Sequence, residues 1–270
     1  MENTEKFDVS VILPIKTIRT NNFEDYFNKC IESLKVQQLK INELVIVYGN
    51  DTTLTEYLNS FDFGDLNVKK YEWTEEANYS AQVNFGIKQS TSKWVSLFEF
   101  DDEYSSIWFK NVNKYSNAYP NVDAFLPIVV DTDEKGNFAG FTNEATFAAN
   151  FSSEMGYLSN ETLHEYQNFQ LSGMVIKKSV LENYELLKPS FKLTFGYEMF
   201  LRLTHNSSKI MSIPKIGYKH TNLREGSIFW NYKNGENVLT SDEVKFWIDL
   251  AKTEYFYNVD RNIKYEPSEV

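Results

Sequence analysis

The sequence is poor in several residues that would each announce a particular kind of protein. It has one cysteine, three histidines, six prolines and eleven glycines in 270 residues. A lone Cys30 excludes a disulfide framework and a cysteine-based zinc site, and it suits a reducing compartment, so a cytoplasmic location is expected. No run approaches the roughly 18 apolar residues of a membrane span. The opening MENTEKFDVSVILPI lacks a basic stretch followed by a long apolar one and a small-residue cleavage site, so neither a transmembrane segment nor a secretion signal is expected. Positive charge is also scarce. Lys and Arg number 27 against 38 Asp and Glu, a net charge of −11. Such a field repels a phosphate backbone and argues against nucleic acid as a partner. It leaves room for a single nucleotide, because a bound cation brings its own local charge.

What is present is core material: 42% hydrophobic and 16% aromatic residues, enough for one large α/β domain. Val9–Ile15 is a β-branched run with the look of a buried strand, and Phe23, Phe27, Cys30, Ile31 and Leu34 follow at helical spacing. Strands are then expected at Glu43–Tyr48, Val68–Trp73 and Lys93–Phe100, with a helix over Asn78–Ser90. This alternation predicts a mostly parallel sheet with helices on its faces. In such sheets ligands bind beyond the carboxyl ends of the strands, where Gly49-Asn50-Asp51 and Asp101-Asp102-Glu103 fall. The second half predicts strands at Asp123–Val130, Phe138–Phe141, Met174–Lys177 and Ile210–Tyr218. Helices are predicted at Ser105–Tyr115, Ser179–Leu187 and Tyr197–Thr204, and another from a capping box of Thr240 and Glu243 to about Tyr255. There is no internal repeat.

Glu99-Phe100-Asp101-Asp102-Glu103 packs four carboxylates into five residues directly after an apolar strand. Their mutual repulsion is costly without a cation or basic partners. Magnesium and manganese take such oxygen ligands together with substrate phosphates. A solvated acidic turn leading into the next helix is the plain alternative.

The order of segments resembles that of the family 2 glycosyltransferases, whose catalytic domain has the GT-A fold, an α/β, Rossmann-like single domain. VSVILPIK (Val9–Lys16) resembles the opening strand beside the nucleotide, implying that Pro14, Ile15 and Lys16 border the donor. ELVIVYGND (Glu43–Asp51) resembles the second strand and its loop. The usual acidic pair there is replaced by Tyr48 and Gly49, which leaves Asp51 to stand in. YSAQVNFGIKQSTSKWVSLFEFDD (Tyr79–Asp102) resembles the helix-strand run ending in an acidic pair, with Asn84, Gly86 and Ile87 at the family spacing. SGMVIKKSVL (Ser172–Leu181) resembles the acceptor-side segment.

The resemblance implies a metal-dependent, inverting transfer of sugar from a nucleotide-diphosphate sugar to a glycan or other hydroxyl acceptor. Asp101 and Asp102 would contact the ribose and the metal-bound diphosphate, with Glu99 at the first position of an acidic triplet. His220 would join Asp102 on manganese or magnesium, while Lys219 and Arg224 offset phosphate charge. Inversion needs a carboxylate to take the acceptor's proton. Phe195 and Gly196 replace the usual acidic pair, so Glu198 is the expected base, the alternative being an ordinary helix pair with Arg202. The implied organisation is a nucleotide-sugar half (1–118), an acceptor and catalytic half (119–235), and a C-terminal helix and tail (236–270). Trp108, Phe141, Phe147, Phe151, Tyr157, Trp230 and Tyr232 are candidates for stacking on sugars or for the core. A nucleotidyltransferase is disfavoured, because Pro14–Arg19 has no glycine to cradle a triphosphate. A catalytically degenerate protein of the same fold that binds glycans or nucleotide sugars is the alternative.

Overall fold

The computed structural model describes residues 6–76, 78–149, 156–184, 186–235 and 238–261. Phe151 and most of the expected tail lie outside these described residues. The first half contains β1 (Lys6–Ile15), α1 (Phe23–Lys35), β2 (Lys40–Gly49), α2 (Thr52–Ser60), β3 (Val68–Trp73), α3 (Tyr79–Gln89) and β4 (Trp94–Leu97). It continues with β5 (Glu103–Tyr104), α4 (Trp108–Ala118), β6 (Ala124–Thr132), β7 (Phe138–Thr142), α5 (Ala145–Ala148) and α6 (Asn160–Glu165). The remainder is β8 (Val175–Lys177), α7 (Lys178–Asn183), α8 (Phe195–His205), β9 (Ile210–Thr221), α9 (Ile228–Asn234) and α10 (Ser241–Glu254).

All described strands join one curled sheet in the order β3-β2-β1-β4-β8-β6-β9-β5, with β7 also paired to β6. β3, β2, β1 and β4 are parallel to one another, as are β6 and β9. The short β8 runs antiparallel between β4 and β6 and so welds the two parallel blocks together.

Both faces of β1 are covered, which is why its sequence is continuously apolar rather than alternating. Val11, Leu13 and Ile15 pack with Phe23, Phe27, Ile31 and Leu34 of α1 on one face. Ile12 packs with Val83 and Ile87 of α3 on the other. Gly86 lets α3 sit that close, since a Cβ there would lie 2.7 Å from Ile12 Cγ2. Gly49 does the same for the ends of β1 and β2: a Cβ would meet the Lys16 carbonyl oxygen at 2.3 Å. Gly49 thereby draws backbone together at the carboxyl edge of the sheet, where the functional residues gather.

β4 and β9 end differently from the sequence expectation. The pairing of β4 stops at Leu97 rather than Phe100, and the Asp102 N–H bonds back to the Glu99 carbonyl at 3.2 Å, so the acidic segment is a tight turn. β9 runs on to Thr221, and His220 lies in this strand opposite Asp131 of β6 rather than in a loop. Trp108 is a core residue without exposure. No helix among the described residues is long and apolar enough to cross a membrane.

Candidate active site

The acidic turn after β4 is bracketed by the end of β9 and the loop that follows it. Asp102, almost fully buried, accepts a hydrogen bond from the Thr221 N–H at 2.8 Å and lies 3.0 Å from His220 Nδ1. Asp101 is bound by Arg224 Nε at 2.5 Å, and its carbonyl accepts from the Thr221 hydroxyl at 2.7 Å. The Arg224 guanidinium lies over the Phe100 ring, 4.7 Å from its centroid. Glu99 has no cation bound to it directly, and Ser172 Oγ approaches it at 3.4 Å.

The charges here are strongly interdependent. Burial and the neighbouring Asp102 push Glu99 up to about 8, against the pull of His220. Burial would lower His220, but Asp102, through charge and hydrogen bond, together with Glu99 and Asp101, raises it to about 10. Burial and Asp102 also raise Asp101, opposed by Arg224. Burial and mutual repulsion thus oppose full ionisation of the three carboxylates, which His220 and Arg224 offset only in part.

One oxygen each of Glu99 and Asp102 and one nitrogen of His220 lie within 4.8 Å of one another. Two carboxylates and an imidazole are a donor set that suits manganese or magnesium, and a bound cation would favour the ionised form of Glu99 that burial and Asp102 oppose. The residues fit a divalent cation.

The turn opens onto a cavity of about 470 Å³, within the range of small-molecule sites. Pro14, Lys16, Thr17 and Thr20 reach it from the end of β1, Glu99 and Asp101 from the acidic turn, and His220 and Arg224 from β9 and beyond. Asp51 does not line it but stands behind the lining residue Thr17. It caps α2 through Thr53 N at 3.0 Å and Leu54 N at 3.3 Å, and Thr17 Oγ1 is 3.4 Å from its other oxygen.

Other expected site residues are placed elsewhere. Ile15 is a core residue of β1 and Asn84 braces the fold, its side chain bonding both the N–H and the carbonyl of Leu187. Lys219 pairs with Glu103 at 2.8 Å on the outside of β9, away from the cavity. The expected base, Glu198, requires correction. It has no exposure and is held by Lys188 at 2.8 Å and Arg202 at 2.9 Å. A carboxylate enclosed by two cations inside the core has no path to an acceptor hydroxyl. α8 instead presents Phe195 and Gly196 to the cavity.

Gln82 was not anticipated. It lines the cavity, is 2% exposed, and its Nε2 has no protein partner; the buried Thr20 Oγ1 is in the same position. Buried polar atoms of this kind require a partner, and the cavity is where a ligand would provide it. The only sequence signal was a polar residue one turn beyond Tyr79 on the inward face of α3.

A curled mixed sheet with an acidic turn at the carboxyl end of β4 is the GT-A architecture. Residues 10–184 match the model of Glycosyl transferase family 2, and the chain belongs to that family. It is similar to Glycosyltransferase GlyA of Streptococcus pneumoniae, 28% identical over 112 residues, which are 40% of this chain and 15% of that protein. It is also similar to the minor teichoic acid biosynthesis protein GgaB of Bacillus subtilis, 24% identical over 127 residues, 44% of this chain and 13% of that one. The chain thus spans about a seventh of the length of these relatives. Among solved structures, S. aureus TarS 1–349 in complex with UDP-GlcNAc superposes with a TM-score of 0.64 at 17% identity, over 92% of this chain and 66% of that one. The mannosyltransferase PcManGT of Pyrobaculum calidifontis, in complex with GDP-Man and Mn2+, gives 0.59 at 14%, over 84% and 61%.

Proposed function

We propose that this chain transfers a sugar from a nucleotide-diphosphate sugar to an acceptor hydroxyl with the help of a divalent cation. The observation that carries this is the grouping of Glu99, Asp102 and His220 where the acidic turn meets the end of β9, with Glu99 and His220 lining a cavity whose wall also holds the unpartnered polar atoms of Gln82 and Thr20. Glu99, Asp102 and His220 would hold the cation, which when bound neutralises diphosphate charge and eases its departure. On this reading Pro14, Lys16 and Thr17 would border the nucleoside, with Asp51 behind Thr17, while Asp101 would contact the ribose and Arg224 the phosphates. Gln82 supplies an amide donor to the bound donor. Family membership and the complexes formed by TarS and PcManGT support this reading. The inverting course rests on the family resemblance.

A second reading, a protein of this fold that binds nucleotide sugars without transferring them, is favoured by one observation. α8 turns Phe195 and Gly196 to the cavity where the family resemblance places an acidic pair, and Glu198 is locked in the core.

A panel of nucleotide sugars tested for binding and hydrolysis with manganese, magnesium or EDTA separates these. Asp102→Asn, which keeps an acceptor for the Thr221 N–H, is the control. Metal-dependent turnover of one donor, reduced at least a hundredfold in the variant, is the expected result. Metal-dependent binding without turnover, alone or with any acceptor, supports the second reading. No binding of any donor sinks both.

A further inference from the structure

The cavity has two ends of opposite chemistry. One is the acidic turn with its cations. The other is walled by Leu193 and Phe195 from the start of α8, Ile228 and Phe229 from α9, and Val244 and Ile248 from α10. Two of the polar groups that share this wall are turned away from it. Thr194 Oγ1 donates to the Trp247 carbonyl at 2.8 Å, and the Tyr197 hydroxyl donates to the Leu163 carbonyl at 2.9 Å. Phe195 lies between other rings, with Tyr79 at 5.4 Å and a stacked Phe229 at 6.2 Å between centroids.

α9 is the telling element. None of its residues is buried, yet Ile228 and Phe229 line the cavity at 37% and 45% exposure. Val244 and Ile248, one turn apart on α10, face the same space, while Trp247 and Ala251 of that helix pack into their own cluster. A sugar alone is poorly served by such a wall, because its hydroxyls need partners around the ring and those of Thr194 and Tyr197 are committed elsewhere. A ligand with one polar and one apolar end matches the whole cavity.

We propose that this end of the cavity receives an alkyl or aryl group carried by the acceptor next to the hydroxyl that takes the sugar. The inference rests on the transferase reading and specifies its second substrate. The acceptor's apolar portion is covered by α9 and α10, and its hydroxyl is directed toward the acidic turn.

Calorimetric titration of the intact chain with methyl, phenyl and n-octyl β-D-glucoside, the last kept below its micelle concentration, tests this. The octyl and phenyl compounds should bind at least tenfold more tightly than the methyl compound, since each buried methylene adds roughly threefold to fourfold. Ile228→Ser and Phe229→Ser alter exposed positions on a helix without buried residues, so the fold should hold, as circular dichroism would verify. Each should weaken octyl binding about fivefold or more. Equal binding of methyl and octyl compounds, or octyl binding indifferent to both substitutions, overturns the proposal. Titration of the same preparation with donor and manganese separates the failures. Donor bound without alkyl preference removes the apolar acceptor alone, whereas no donor bound removes the transferase reading and the acceptor with it.

Discussion

At the scale of single residues, Glu198 shows how one side chain can satisfy a sequence pattern for the wrong reason. A carboxylate four residues before an arginine in apolar company fits both a catalytic base and an internal ion pair. The structure chooses the second, with Lys188 completing the arrangement and bonding the Glu254 carbonyl at 2.7 Å. Glu198→Gln would leave Lys188 and Arg202 in the core without their counter-charge. Breaking such a pair from one side costs about 3–5 kcal/mol. The variant should therefore unfold at markedly lower denaturant concentration than the parent. A variant of unchanged stability that had lost transfer would restore the base assignment. Lys188 could not have been anticipated, because it comes from a turn whose approach to α8 is tertiary. Gln82 escaped for a related reason: a polar residue in a helix has meaning only once the cavity beside it is known. Asp102, by contrast, stood out because four carboxylates after an apolar strand are costly without a cation or basic partners, whereas His220 was singled out by the family resemblance alone.

At the scale of elements, the strands β1 and β2 could be read from the sequence because their β-branched runs are covered on both faces. α2 could not, since it starts immediately after a turn-rich segment and owes its beginning to the Asp51 cap. α9 buries nothing and so leaves no periodic core pattern. The end of β4 was drawn too long because Phe98 and Phe100 are as apolar as the strand itself, although the pairing stops at Leu97. Among elements, Glu43 of β2 makes the tie with the clearest pH signature. It takes hydrogen bonds from Ser10 Oγ of β1 at 2.5 Å and from Thr91 N before β4 at 2.6 Å, and pairs with Lys69 of β3 at 2.6 Å. Burial alone would raise its pKa, but the bonds from Lys69, Ser10 and Thr91 outweigh this and lower it. A carboxylate with a lowered folded pKa adds stability above its unfolded pKa, roughly 4.3 for glutamate. That contribution is lost as pH falls through the folded value. Glu43→Gln should thus be less stable than the parent at pH 7, with the gap closing below about pH 4 in denaturation curves across pH. A gap that stayed constant with pH would show that packing, not charge, accounts for the difference.

At the scale of the whole molecule, the two parallel blocks welded by β8 supply opposite sides of one cavity, and the acidic turn lies where they meet. The chain as a whole is acidic, yet His220, Arg224 and Lys219 are each paired with a carboxylate of the segment Asp101–Glu103. A bound divalent cation would relieve the remaining repulsion and would tie β4 to β9 through Glu99, Asp102 and His220. Ligands that bind only the folded state stabilise it by mass action, about 2.7 kcal/mol at a hundred times the dissociation constant. Manganese with a nucleoside diphosphate should therefore raise the melting temperature by several degrees in differential scanning fluorimetry, and EDTA should reverse the shift. Asp102→Asn, which retains the bond to Thr221 but takes the counter-charge from His220, should melt below the metal-free parent and show little of the metal-dependent rise. A rise that survives in the variant would move the cation away from this cluster, because the site cannot keep its affinity with one of its two carboxylates neutral.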